Sequence, residues 1–163
     1  MKILKNLLLI IALTLFIAGP SIAAEKAVGY FGWHATGNYT QLGESMGFWV
    51  GEFSGSFDSD KGEGGLFHKA SMRCPGSNSM NFVTGTTSAK GVCIIKELDG
   101  DEAYVTWVIE GKLGQANIGS FSYTGGTGKH EGLSGDAGIA IGHIVTNYAD
   151  GDAGGYALWN RMK

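Results

Sequence analysis

The sequence lacks the features that mark several protein classes. No segment repeats its apolar residues with the spacing of an amphipathic helix, and the 163 residues contain only two prolines and two cysteines. There is no run of lysine and arginine, which argues against nucleic acid or an anionic membrane surface as a partner. No serine stands in a Gly-x-Ser-x-Gly elbow between a strand and a helix. These absences predict a β protein without an assembled catalytic motif.

The N-terminal segment has the pattern of a secretory signal peptide. Lys2 and Lys5 precede the apolar run 6–18, and the small-residue stretch 21–24 follows it. We therefore predict a signal peptide over 1–23, with cleavage after Ala23 or Ala24. The apolar run is shorter than the roughly 20 residues that a membrane span needs, so no span is expected after cleavage.

Cleavage would leave one exported domain over 24–163, which is long enough for a single core and short for two. Loss of the two lysines changes the formal net charge from −3 to −5. The expected location is the periplasm or the extracellular medium.

Cys74 and Cys93 are the two cysteines of the chain, and both lie in the exported part. In an oxidising compartment we expect them to form a disulfide, which stabilises the fold by about 3 kcal/mol in the chain-entropy model. Two free thiols or a metal pair are the alternatives. No histidine lies at ligand spacing from either cysteine, which disfavours the metal pair.

Two segments alternate with period two, the pattern of a half-buried strand. In 46–58 one face carries Trp49, Gly51, Phe53, Gly55 and Phe57, and in 102–112 one face carries Ala103, Val105, Trp107 and Ile109. Shorter strands are predicted at 28–33, 66–74, 80–84, 91–97, 117–123, 133–146 and 154–162.

The segments 34–44 and 75–78 read as turn-rich, and Asp99-Gly100 reads as a hairpin turn. About eight or nine short strands predict an antiparallel barrel or sandwich, and the barrel is favoured because closure removes exposed strand edges.

The stretch from Phe121 to Gly135 contains five glycines between residues 125 and 135. Such spacing is typical of a hairpin or a kinked strand pair, where positive φ or close backbone approach is required. A phosphate-binding loop is the alternative reading of Gly126-Thr-Gly128 with Lys129. That loop needs a following helix, and the residues after 132 alternate instead.

The order of motifs from Gly91 to Gly135 resembles a family. Gly-Val-Cys93, Asp99-Gly-Asp101, Val105-Thr-Trp107 and the segment Gly125-Gly-Thr-Gly-Lys-His-Glu-Gly-Leu-Ser-Gly135 follow one another. This order is similar to that of exported bacterial proteins that look like the allene oxide cyclase and dirigent-type β-barrels. The resemblance implies a calycin-like, eight-stranded antiparallel barrel with a central cavity. His130 departs from the pattern, which usually has an aromatic ring there, and no catalytic residue is carried over.

The candidate site residues come from the alternating strands. Trp49, Phe53 and Trp107 would line a pocket for an apolar ligand or fill the core. Glu52 and Glu110 lie on the opposite face from the tryptophans. In a cavity such a carboxylate would have a raised pKa and act as an acid or base, and on the outside it would face water.

Neither a metal site nor a cofactor is expected. The histidines, His34, His68, His130 and His143, have no metal-motif spacing. The pairs Asp99/Asp101 and Asp150/Asp152 lack the rest of a calcium loop and read as turns.

The function that these observations favour is binding of a small apolar or aromatic molecule inside the barrel, without catalysis. One alternative is an isomerase or cyclase that works mainly by positioning a reactive intermediate in the cavity. Another is an envelope interaction module that assembles through exposed aromatics. The sequence leaves the ligand and the oligomeric state open.

Overall fold

The computed structural model describes residues 27–60, 62, 65–147 and 150–161; the predicted signal peptide, 1–23, lies outside these residues. Eight strands make up most of the described chain. They are β1 (Ala27–Leu42), β2 (Met46–Ser59), β3 (Ser71–Asn81), β4 (Thr86–Lys96), β5 (Glu102–Lys112), β6 (Asn117–Gly126), β7 (Gly135–Asn147) and β8 (Ala153–Arg161). Among the described residues the only helical segment is a 3-10 turn at Gly128–His130.

Each strand pairs with the next in chain order, and β8 pairs with β1, which closes the sheet. All pairs are antiparallel. The predicted single antiparallel barrel of about eight strands is thus confirmed. A barrel of this strand number is just wide enough to be filled by its own side chains or to hold one small ligand.

The alternation of β2 and β5 determines which side chains enter the barrel. Trp49, Phe57 and Trp107 are buried inside, whereas Val50 and Val108 between them are exposed. The period-two pattern therefore predicted the inward face of both strands correctly, because successive side chains of a strand point to opposite sides of the sheet.

Three strands differ by several residues from the sequence-based prediction. β4 begins at Thr86 instead of 91, and the predicted strand 80–84 is divided between the end of β3 and a turn. β1 continues through the polar segment 34–42, because its backbone pairs with β2 as far as Leu42 opposite Met46. β3 starts at Ser71 and runs through the predicted turn at 75–78. Pro75 lacks a backbone N–H, and the β3–β4 pairing has a gap between Arg73 and Gly76, so the proline sits where the ladder is already interrupted.

The two ends of the barrel differ in their connections. We call one end the open end. It carries the turns 43–45, 82–85 and 113–116 and the described part of the β7–β8 connection, 150–152. At the closed end lie 65–70, the β4–β5 turn 97–101 and the β6–β7 connection 127–134.

Phe67 fills the closed end. It is 1% exposed, and its ring lies 5.8 Å from Trp159, 5.9 Å from Phe57 and 6.4 Å from Tyr123. Its φ is +57°, an outlier for a bulky residue, and its backbone N–H donates a 2.9 Å hydrogen bond to Oε1 of Glu97. Packing and this hydrogen bond together hold Phe67 as a plug.

The β6–β7 connection, residues 127–134 of the glycine-rich stretch, covers the same end of the barrel, and we call it the lid. Lys129 donates its backbone N–H to Oδ2 of Asp101 at 3.0 Å, and Thr127 Oγ1 accepts from the N–H of Glu102 at 3.0 Å. Gly128 has φ +52°, and a Cβ there would overlap the Asp101 carboxylate. Only glycine fits at 128, because the position requires both a positive φ and the absence of a Cβ. The second glycine of the Gly-Thr-Gly-Lys segment is therefore explained by the fold.

Candidate functional site

A cavity of about 490 Å³ occupies the open half of the barrel. This volume lies within the range typical of small-molecule sites. The cavity extends from Phe31 and Met72 in the middle of the barrel to Phe82 and Leu113 in the turns of the open end. In the plugged half a void of about 10 Å³ lies between Phe31, Phe67 and Trp159. The barrel is therefore hollow at one end and filled at the other.

The cavity exists because β7 and β8 contribute small inward residues. Ala140, Gly142 and Ala157 form part of its lining. A Cβ placed on Gly142 would meet only the Cβ of Ala157, at 3.7 Å. The opposite strands carry large rings, so the space left by the small residues is not refilled.

Aromatic rings form the apolar wall around Phe53. Its ring centroid lies 5.2 Å from Trp33 and 5.7 Å from Trp107, both in edge-on geometry, and 5.1 Å from Trp49. Such contacts hold the rings in defined orientations. Phe53, Trp33 and Trp107 line the cavity.

Sulfur atoms add to the apolar wall. Cys74 and Cys93 form the predicted disulfide, with Cα atoms 4.0 Å apart, and both residues line the cavity with Met72 and Met80. The disulfide prediction is confirmed. Its position ties β3 to β4 at the gap in their pairing.

Neutral polar groups lie on the wall nearest the open end. Asn78 on β3 and Thr87 on β4 line the cavity, and Thr87 Oγ1 donates a 2.6 Å hydrogen bond to Oδ1 of Asn78. Asn117 also lines the cavity, but its amide is used by the backbone N–H and C=O of Lys112. Asn78 is thus the amide on this wall that keeps hydrogen-bonding capacity toward the cavity.

The indole N–H groups are satisfied unequally. Trp49 Nε1 donates to the Gly151 carbonyl at 2.6 Å, and Trp159 Nε1 donates to the Ala137 carbonyl at 3.0 Å. Trp107 Nε1 is buried and has no hydrogen-bond partner among the described residues. Buried polar groups without a partner are uncommon and costly.

The structure separates the predicted site residues into two groups. Phe53 and Trp107 line the cavity, and Trp49 packs inside the barrel over Gly37. Glu52 and Glu110 belong to the outward-facing positions of β2 and β5, and Glu52 accepts a 2.9 Å hydrogen bond from Nη2 of Arg73 outside the barrel.

Sequence reasoning did not identify Asn78, Thr87 or Gly142 as cavity residues. Asn78 was assigned to a turn because Pro75-Gly-Ser-Asn has turn chemistry. The usable signal was the period-two series Met72, Cys74, Gly76, Asn78 and Met80, which continues one face of β3 through the proline.

The closed end contains a partly exposed ionic cluster around the buried carboxylate of Glu97. The Glu97 carboxylate pairs with the Lys129 ammonium and lies 3.3 Å from Nε2 of His130. Lys129 Nζ also donates to Oδ2 of Asp99 at 2.7 Å. Hydrogen bonds to Asp99 and then Glu97 raise the pKa of the Lys129 ammonium, and the bond from Lys129 lowers the pKa of the Asp99 carboxyl. These contacts join Lys129 and His130 of the lid to Glu97 and Asp99 of the β4–β5 turn, and we call this cluster the latch.

The other histidines and acidic pairs have local roles. His143 stacks on Tyr156 at 5.2 Å, and His68 Nδ1 lies 3.3 Å from Oδ1 of Asp58. The Asp99 and Asp150 side chains each accept the backbone N–H two residues on, as in the predicted turns. Within the described part of the chain, no cluster of three or more His, Cys, Asp or Glu residues is placed to hold a metal ion.

The fold and the cavity define a small closed β-barrel with a one-ended apolar pocket. No protein-family model, curated protein or solved structure matches the chain. No helix in the part that the structure describes has the length and apolar character for a membrane crossing.

Proposed function

We propose that the protein is an exported β-barrel that binds one small apolar or aromatic molecule in its open-end cavity, without converting it chemically. The observation that carries this proposal is the contrast between a cavity of about 490 Å³ in the open half and a void of about 10 Å³ behind Phe67 in the closed half. A folded protein rarely leaves such a volume unfilled without a use for it, since cavities destabilise the fold. Export rests on the predicted signal peptide and agrees with the disulfide.

Binding is favoured over an isomerase or cyclase activity because no aspartate or glutamate of the described residues lines the cavity. That alternative required Glu52 or Glu110 inside the cavity, and both side chains belong to the outward face. The lining groups can exclude water, stack and hydrogen-bond, which suffices for holding a ligand.

The test is a fluorescence titration of the mature protein with the neutral apolar probe N-phenyl-1-naphthylamine. We expect saturable one-to-one binding with enhanced probe emission. The variant Ala89→Phe fills the cavity from β4 and should weaken binding by about tenfold or more, roughly 1.4 kcal/mol. The control Ser88→Phe places the same ring on the outer face of the same strand and should bind as wild type.

Thermal melting of both variants checks that they are folded. Absence of saturable binding to wild type, or equal binding by the Ala89→Phe protein, would contradict the proposed function.

A further inference from the structure

One wall of the cavity, made by β3, β4 and β5, carries polar groups next to the aromatic rings. Asn78 and Thr87 face the cavity from neighbouring strands. Thr87 Oγ1 donates a hydrogen bond to Oδ1 of Asn78. The NH2 group of Asn78 has no partner among the described residues. The amide therefore presents donors, rather than its oxygen, to anything bound beside it.

A second donor without a partner belongs to the same wall. The Trp107 ring covers Gly76, where a Cβ would come within 2.6 Å of the indole, and Gly76 precedes Asn78 by one inward position on β3. The Nε1–H of Trp107 has no acceptor within the described residues, whereas the Nε1–H groups of Trp49 and Trp159 both donate to backbone carbonyls. Two donor groups of this wall, the Asn78 NH2 and the Trp107 indole N–H, thus have no partner among the described residues.

Within the part of the chain that the structure describes, Lys112 and His143 are the only ionisable residues that line the cavity, and both lie on outward-facing positions. Lys112 lies two residues after the outward-facing Glu110 on β5, so it belongs to the same outward face. His143 stacks on Tyr156, which is 43% exposed on the outer face of the barrel. A charged ligand group would lose its hydration here without gaining a counter-ion.

We propose that the ligand is an uncharged apolar molecule with a carbonyl oxygen, a ketone or an ester, and that Asn78 Nδ2 donates to that oxygen. A carbonyl needs only donors, and donors are what this wall leaves unpaired. The Asn78 NH2 group offers two N–H donors to such an oxygen, because the Thr87 hydroxyl bonds to Oδ1 of Asn78 and not to this group. This inference rests on the proposed binding function and adds the chemical class of the ligand.

The test uses three probes that share one ring system: 2-acetylnaphthalene, 2-ethylnaphthalene and 2-naphthoate. Their affinities for the mature wild-type protein are measured by competition with N-phenyl-1-naphthylamine. We expect the ketone to bind about three- to tenfold more tightly than the hydrocarbon, the range of one net hydrogen bond, and the carboxylate to bind most weakly.

The variant Asn78→Leu should remove the preference for the ketone over 2-ethylnaphthalene, because leucine has no N–H donor, so the affinity ratio of the two probes is what is compared with wild type. Asn78→Asp removes the same donors at nearly the same size, and should also lose the preference, which keeps the test valid if the leucine variant is unstable. The control Asn38→Leu changes an exposed amide on β1 and should keep the wild-type preference.

The outcomes separate the two proposals. Equal binding of ketone and hydrocarbon by wild type, or an unchanged preference in both Asn78 variants, overturns the carbonyl assignment while the binding function stands. Tightest binding of 2-naphthoate overturns the assignment of a neutral ligand. Failure of every probe to bind overturns the proposed function and this inference with it.

Discussion

The two halves of the barrel share one sheet and one alternation pattern, yet one is filled and the other hollow. In the filled half Phe57, Phe67 and Trp159 pack ring against ring and leave a void of about 10 Å³. In the hollow half Ala140 and Gly142 face the rings of β2 and β5 across about 490 Å³. The difference shows that side-chain volume and one inserted plug residue, rather than barrel geometry, decide where a ligand fits.

The largest expected effect comes from removing the plug. Phe67→Ala should lower the free energy of unfolding by about 3–5 kcal/mol, because a fully buried ring is replaced by a cavity. Phe82→Ala at the open end, where the ring is 41% exposed, should cost less than about 1 kcal/mol. Urea unfolding of the two variants measures the contrast. Similar losses for both would mean that the ends are not energetically distinct.

The disulfide comes next. The double variant Cys74→Ala/Cys93→Ala should lose about 3 kcal/mol, since the bond closes a loop with a sequence separation of 19. Chemical denaturation of wild type with and without reductant gives the same comparison without mutation. A loss below about 1 kcal/mol in both experiments would show that packing alone holds β3 to β4.

Two glycines of the barrel interior should respond in opposite directions. At Gly91 a Cβ would overlap the Pro75 carbonyl and lie 2.7 Å from the Trp107 ring, so Gly91→Ala should cost about 1–3 kcal/mol. At Gly142 the Cβ enters the cavity, and Gly142→Ala should be neutral or stabilise by about 0.5–1 kcal/mol, because a glycine in a strand is entropically unfavourable. Thermal unfolding of both variants tests this; destabilisation by Gly142→Ala would argue against a hollow open half.

The smallest effect concerns the latch. Lys129→Met should lower Tm by less than about 4 °C, because the ion pairs are partly exposed. The raised pKa of Lys129 means that its contribution is present below its unfolded pKa and is lost as pH rises through the folded value. The lowered pKa of Asp99 means that its contribution is present above its unfolded pKa and is lost as pH falls through the folded value.

The Tm difference between wild type and Lys129→Met should therefore be constant from about pH 5 to 9 and shrink below about pH 4 and above about pH 10. Lys90→Met removes an exposed lysine that has no ion pair among the described residues and serves as the control. A difference that does not change between pH 3 and pH 7 would exclude the ionic latch.

The barrel was predictable because β2 and β5 repeat their apolar residues every second position, a signal that survives in a single sequence. The segment 34–42 was misread because its polar outward residues and Gly37 resemble a loop, while strand formation there depends on pairing with β2. Pro75 was misinterpreted as part of a turn for the same reason. Its local turn preference is overridden by the backbone pairing of β3 with β2, which runs through Glu52 opposite Pro75.

The family resemblance implied a central cavity, but the sequence did not indicate which half of the barrel is hollow. The volume of the hollow half depends on Ala140 and Gly142 standing across from Phe53 and Trp107, which are far away along the chain. The plug was equally hidden, because Phe67 lies in a connection and adopts a positive φ that no local pattern signals. Sequence reasoning identified the aromatic rings of the cavity and missed the position of the cavity in the barrel and the Asn78–Thr87 pair.

The most direct test of the account is native mass spectrometry of the mature protein, purified gently from its exported fraction, compared with Gly142→Leu prepared in the same way. The account predicts that wild type carries an extra mass of a few hundred daltons that is lost on unfolding, and that the filled variant does not. A bare wild-type mass that remains bare after incubation with N-phenyl-1-naphthylamine would contradict the claim that the open half is a binding site.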